Sequence, residues 1–438
     1  MAAQQKQSAA LTSPGYLVPF IIVTALFFIF GFITNLNMAL VPHLKAIFTL
    51  PYAWAMLAES AFFLAYFVFA SPTSKLIETI GYKRTMVVSL FIQVVGCLLF
   101  IPAAKMISFP LFLTAVFVVG AGVTALQTSA NPYVSILGPE SSSSIRLNLA
   151  QAFNSIGGTI APLIAGAYIL TDPAKLSSPA SVADTVRLPY MLIAGGLLLL
   201  GVAVAFMHLP HVEQTQAFRP AKAGDPILSR SIWSYKHTVL GALGIFFYVG
   251  VEVGLASIAV NYFKTQGMST ASTASYLVSL YWFGALVGRL LGAGIMTKVK
   301  AGKLLGIFGI TAAILITISM FTNGQVAIGT LVLCGFFNSV MFPNIFTLGI
   351  ARLGPMTSKG SGLIMTAVVG GAVIPWLIGE VADKVGKHYA FIHQLQFVPG
   401  GIADKIGIQA SFIIPVICYL YIAYYGLWGS KPTRTITA

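Results

Sequence analysis

Residues 127–162 read QTSANPYVSILGPESSSSIRLNLAQAFNSIGGTIAP, and how this stretch is read decides the fold. It holds five amides (Gln127, Asn131, Asn148, Gln151 and Asn154), one acid (Glu140), one base (Arg146), three prolines and paired glycines. On either side the chain is almost wholly apolar. Polar residues in a membrane span are costly and face a bundle interior or a water-filled cavity. The pattern predicts helix, short turn, helix, with the amides on the helices and the charges in the turn. Such a segment is half of a polar path through a membrane.

Composition agrees. Of 438 residues, 57% are hydrophobic and 8% charged, against about 25% charged in soluble domains. The chain is therefore read as an all-α integral membrane protein, with membrane lipid as its surroundings. A net charge of +14 would suggest nucleic acid for a soluble protein. In a membrane protein, Lys and Arg collect in cytoplasmic loops, so no nucleic-acid partner is expected. Cys97, Cys334 and Cys418 lie in apolar runs, without metal-ligand spacing or a disulfide framework. No metal is expected.

A helix needs about 20 apolar residues to cross a bilayer. Twelve such runs are predicted, near 18–41, 53–75, 84–105, 109–136, 146–170, 187–208, 236–263, 271–297, 303–321, 325–351, 360–382 and 409–429. The expected organisation is an N-terminal tail (1–17), a six-helix half (18–208), a linker (209–235), a second six-helix half (236–429) and a C-terminal tail (430–438). A polar gap near 383–408 is read as a structured extramembrane loop. With the N-terminus inside, sixteen Lys and Arg fall in inside segments and eight outside, with Arg289 in a span. That bias places both tails and the linker in the cytoplasm.

The halves resemble each other. Asn131 matches Asn344, Gly157–Gly158 matches Gly370–Gly371, and Pro162 matches Pro375, all offset by 213 residues. Gly138–Pro139 matches Gly354–Pro355 at an offset of 216. Two six-helix halves related by an axis along the membrane normal form the major facilitator fold, with a substrate site near the midplane.

Several longer segments carry a resemblance: TNLNMALVPHLKAIF (34–48), ESAFFLAYF (59–67), ALQTSANPYVSILGPES (125–141), RLNLAQAFNSIGG (146–158), YVGVEVGLASIAVNYF (248–263) and FPNIFTLGI (342–350). Through them the chain resembles the fucose–galactose–glucose:proton symporter family of the major facilitator superfamily, over nearly all of 18–430. The segment at 248–263 looks like the glucose/galactose and N-acetylglucosamine branch. The resemblance implies uptake of a neutral monosaccharide across a bacterial inner membrane by alternating access, with H+ as the co-transported ion and no other cofactor. The family's span-one motif ends in a proton-linked Asp, and Met38 stands there. Its span-four acid, where present, is Gln127 here. Uncoupled uniport and Na+-coupled symport therefore stay open beside proton symport.

Only Glu59 and Glu252 lie well inside predicted spans, and both are proton-coupling candidates. Glu59 sits at nearly the depth of Met38 and can equally bond Asn35 or Asn37. Glu252 lies mid-span, where a carboxylate is costly unless protonated, paired or solvated, and can equally accept sugar hydroxyls. A Glu252–Arg289 pair is not expected, since Arg289 is placed near the cytoplasmic end of its helix. There GRLLGAGIMTKVKAGK (288–303) resembles a helix-clamping loop of the superfamily. Arg289, Glu140 and Arg146 are candidates for a cytoplasmic gate. Substrate binding is expected from Asn35, Asn37, Gln127, Asn131, Gln151, Asn154, Glu252, Asn261, Trp282 and Asn344, with Phe28, Tyr133, Phe153, Tyr248 and Tyr281 available to stack on a ring. Amides suit a neutral polyol, while an anionic substrate would need a base near the midplane, and none is expected. The competing role for each amide is interhelical bonding, worth about 0.6 kcal/mol. No nucleophile–base set points to an enzyme, and a monomer is expected.

Overall fold

The fold was analysed in a computed structural model, which describes residues 10–48, 57–168, 187–207, 209, 231–267, 271–398 and 401–432. Every long element among these residues is helical. In hydrocarbon each backbone N–H and C=O must be satisfied within the segment, which a helix does. Ten helices are long and apolar enough to cross a membrane among the described residues. One of them, Leu57–Lys105, is two spans joined at Gly81, whose φ of 80° and ψ of 169° break the helix. The amide-rich Ser143–Tyr168 adds the twelfth. Twelve transmembrane helices result, in two six-helix halves.

Numbered along the chain, spans one, four, five and six are Leu17–Phe48, Phe109–Ile136, Ser143–Tyr168 and Arg187–Phe206. Spans two and three are the halves of Leu57–Lys105 on either side of Gly81. Spans seven, eight and nine are Lys236–Thr265, Ala271–Ile295 and Ala301–Phe321. Span ten is broken into Gly324–Asn338 and Met341–Gly349, and span eleven into Thr357–Thr366 and Gly370–Ile392. Span twelve runs through Ile402–Ser411 and Ile413–Tyr424. The helix of span eleven continues to Ile392, so the structured loop read at 383–408 is largely helical. Its charges sit as i,i+4 pairs, Glu380–Lys384 at 3.1 Å and Asp383–Lys387 at 3.5 Å, which suit a helix extended beyond its apolar part.

By packing, the described chain forms two units. The first takes the residues up to Ser234 together with Ile350–Thr366. Span four is its centre, buried continuously from Val119 to Ile136. Small residues let its neighbours approach: a Cβ on Gly122 would meet Gln93, and one on Gly157 of span five would meet the Phe28 carbonyl of span one. The second unit takes Tyr235–Gly349 and the chain from Ala367 onward. There Gly250 and Gly254 of span seven lie against Ile374 and Ile378 of span eleven.

Candidate functional site

In the second unit the polar residues gather around Glu252, near the middle of span seven. Tyr248, one turn earlier on the same face, donates its hydroxyl to Glu252 Oε1 at 2.6 Å. Arg289 Nη2 lies 4.0 Å from that oxygen. The arginine side chain is 7% exposed and the glutamate 15%. This corrects two sequence expectations. Arg289 pairs with Glu252, where no such pair was expected, and a base does stand beside the mid-span acid. The reason is directional: side chains on a helix lean toward its N-terminus, so an arginine late in span eight reaches back toward the centre. The pair is formally neutral, so an uncharged ligand remains the better match.

Around this pair, Arg289 Nε donates to the Ser339 carbonyl at 3.2 Å. Asn338 Nδ2 donates to Tyr281 Oη at 2.6 Å, and the Asn338 Oδ1 has no hydrogen-bond partner. Tyr281 and Trp282 meet edge to face, 5.4 Å between centroids; Trp282 is half-buried. Asn261 is exposed near the far end of span seven. Asn344 is buried and donates to the Ala301 carbonyl at 3.4 Å, which ties span ten to the start of span nine.

In the first unit Gln127 Nε2 donates to Tyr66 Oη at 2.8 Å, joining spans four and two. Asn131 Nδ2 contacts Met365 Sδ at 3.6 Å, and its Oδ1 is buried without a partner. Asn35 donates back to Gly31 O at 2.9 Å and packs on Gly158. Asn154 Nδ2 reaches Phe27 O at 3.5 Å and packs on Gly31. Gln151 is buried one turn before Asn154. The side chains of Asn37, Met38 and Glu59 lie outside the described residues. Of the aromatic candidates, Tyr133, Tyr248 and Tyr281 are buried, Phe28 is half-buried and Phe153 is exposed.

In the turn after span four, Arg146 faces the backbone. Arg146 does not pair with Glu140. It is fully buried and donates to the carbonyls of Val134 (3.0 Å), Leu11 (2.9 Å), Gly138 (3.2 Å), Pro139 (3.1 Å) and Ser135, and to Ser142 Oγ at 2.7 Å. A helix end leaves its last carbonyls without partners, and a guanidinium with five N–H donors satisfies several at once. Glu140 instead pairs with Arg352 at 3.6 Å. Nearby, Ser358 Oγ donates to Glu78 Oε1 at 3.0 Å, setting a carboxylate against the first turn of Thr357–Thr366, where the helix dipole favours negative charge.

Sequence reading missed Tyr66, Glu78, Arg352 and Ser358. Nothing in their local pattern marks them, because each gains its role from a partner far along the chain. Tyr248 was foreseen only as a stacking ring. Its place four residues before Glu252 on one helix face was the available clue to the hydrogen bond.

The model of the Major Facilitator Superfamily matches residues 22–388. A glucose/galactose transporter of Brucella abortus is 42% identical over 434 residues, covering 98% of this chain and 96% of that protein. The L-fucose-proton symporter of Escherichia coli is 32% identical over 437 residues, covering 96% of this chain and 94% of that one. A crystal structure of the fucose transporter in the outward conformation superposes with a TM-score of 0.81 at 31% identity, covering 95% of this chain and 99% of that one. With its twelve helices, its duplicated halves and these matches across nearly its full length, the chain belongs to the Major Facilitator Superfamily, in the family of the glucose/galactose transporters and the fucose–proton symporter.

Proposed function

We propose that the chain carries a neutral monosaccharide across a bacterial inner membrane by alternating access, coupled to H+, with both termini in the cytoplasm. One observation carries this reading: a carboxylate, Glu252, stands mid-span on a tyrosine hydroxyl with an arginine 4.0 Å away. A buried acid that exchanges a proton beside a fixed cation changes the charge of its site, and a mobile ion can be coupled through that change. The amides Gln127, Asn131, Gln151 and Asn154, with Asn35, supply the uncharged donors and acceptors that sugar hydroxyls need. The activities of the relatives, glucose/galactose transport and L-fucose–proton symport, agree in substrate class and, for the second, in ion. A monomer in lipid suffices for this scheme, with no cofactor beyond the co-transported ion.

Uncoupled or Na+-coupled transport is the second reading, favoured by Met38 where the family has its proton-linked acid. The deciding experiment reconstitutes the protein in liposomes and follows sugar-driven proton movement with glucose, galactose, fucose and N-acetylglucosamine. Wild type is compared with Glu252→Gln and Glu59→Gln. Alkalinisation of the bath by one sugar, abolished by Glu252→Gln while counterflow persists, is the expected result. Counterflow without any proton signal overturns coupling and leaves uniport or sodium.

A further inference from the structure

We propose that Arg289 is a positioning residue for Glu252, and that it is anchored by a backbone carbonyl which Pro343 leaves without its helical partner. The inference rests on Glu252 being the coupling carboxylate.

Span ten breaks just before a proline. Proline has no N–H, so a helix containing it loses the bond to the carbonyl four residues earlier. For Pro343 that carbonyl is Ser339 O, and span ten is interrupted there, between Asn338 and Met341. Ser339 is fully buried. An unmatched carbonyl in such a place is costly, and Arg289 Nε meets it at 3.2 Å.

That contact needs spans eight and ten to lie unusually close. The sequence provides Gly284, Gly288 and Gly292, four residues apart on one face. A Cβ on Gly288 would strike Ser339 and the Phe336 carbonyl. One on Gly284 would press on the Phe336 backbone, and one on Gly292 would meet Val340. The glycine row seats span eight on the break, and Arg289, next to Gly288, lands on the freed carbonyl.

Arg289 meets the carbonyl through Nε and the carboxylate through Nη2. Glu252 Oε1 is then held by Tyr248 Oη at 2.6 Å and faced by Arg289 Nη2 at 4.0 Å. Of the other titratable groups, Tyr281 on span eight faces the pair, and behind it lie Cys334 on span ten and Tyr419 on span twelve, 3.4 Å apart. The span-eleven residues against Gly250 and Gly254 of span seven are Gly370, Ile374, Pro375 and Ile378, none of which titrates. The bond from Nε to Ser339 O does not depend on the charge of Glu252. When the acid takes up a proton the attraction to the guanidinium lapses, yet Arg289 stays in place. The carboxyl is the moving part, and the arginine is the fixed post to which it returns.

The test is the pH profile of sugar uptake in proteoliposomes, read with the sugar-driven proton signal. In Arg289→Gln the cation is gone, Glu252 keeps its proton to higher pH, and the alkaline limb moves up by about one to three pH units. Two further variants keep both charges. Arg289→Lys cannot hold the carbonyl and face the carboxylate together. Pro343→Ala returns an N–H to Ser339 O and competes with Nε. Both are expected to move the limb in the same direction as Arg289→Gln, by less, and Arg289→Lys/Pro343→Ala is expected to move it no further than Arg289→Lys alone. If wild type shows the proton signal but the limb stays put in Arg289→Lys or in Pro343→Ala, the anchoring proposal is wrong and coupling through Glu252 stands. If wild type gives no proton signal and Glu252→Gln transports like wild type, the coupling reading falls and this inference falls with it.

Discussion

Ser361 Oγ donates to the Thr128 carbonyl at 2.7 Å, the acceptor that Pro132, four residues later in span four, is unable to serve. Ser361 is fully buried, so the bond closes a carbonyl with no access to water. Interhelical bonds of this kind average about 0.6 kcal/mol in membranes and reach about 1.7. Ser361→Ala is expected to cost within that range. In a Pro132→Ala background Thr128 regains its backbone partner, and the same Ser361→Ala change is expected to cost close to nothing. A double-mutant cycle on thermal stability in detergent measures the difference. Equal costs in both backgrounds would show that the serine acts elsewhere.

Arg146 is a structural keystone of the turn after span four. Its six acceptors include Val134 and Ser135, in the last turn of the helix, and Leu11 of the N-terminal segment. Bonds to charged groups contribute about 1.5–3 kcal/mol each, so losing two of them costs about 3 kcal/mol or more. Arg146→Ala is expected to lower the melting midpoint strongly and to loosen residues 10–16, which hydrogen–deuterium exchange would reveal. Arg146→Lys keeps the charge but not the planar fork, and should recover less than half of the loss. A melt unchanged in Arg146→Ala would refute this role.

How much of this was legible in the sequence depends on the range of the interaction. The apolar runs, the turn at 138–142 and the duplicated glycines follow from local pattern, and they gave twelve helices in two halves. Glu252 and Gln127 were legible because a polar group in an apolar run needs a reason. Their partners were not. Tyr66 meets Gln127 from 61 residues away, and no periodicity announces that. Depth counting misplaced Arg289, because it follows the Cα and ignores a long side chain leaning back along its helix. The break in span eleven at Ala367–Val369 was hidden inside an apolar run, where a change of helical type leaves no mark in composition.

Glu140 and Arg352 form an exposed pair at 3.6 Å, with side chains 42% and 55% exposed. Such pairs contribute about 0.2–1 kcal/mol and weaken in salt. Glu140→Gln and Arg352→Gln are expected to lower stability equally and slightly, with no additional loss in the double variant and no difference in 1 M salt. Arg352 also sits at φ 56°, a left-handed conformation costing a side-chain-bearing residue about 1–2 kcal/mol. Arg352→Gly should therefore be at least as stable as Arg352→Gln, even though both lose the ion pair. A glycine variant clearly less stable than the glutamine variant would contradict this.

Tyr248→Phe isolates the hydroxyl that holds Glu252. The ring is fully buried, and the substitution removes one oxygen without opening a large cavity. A hydrogen bond to an ionised carboxylate is worth about 1.5–3 kcal/mol, or about ten- to a hundredfold in an equilibrium between the two forms of the acid. The bond favours the ionised form, so its loss lets Glu252 keep a proton to higher pH. The alkaline limb of uptake is expected to move up, in the direction expected for Arg289→Gln. Sugar counterflow at constant pH, which needs no net proton release, should change far less than proton-driven accumulation. The measurement pairs the two assays on one preparation. Counterflow falling as steeply as accumulation would mean that Tyr248 serves the sugar or the packing of span seven, and that its hydroxyl does not tune the acid.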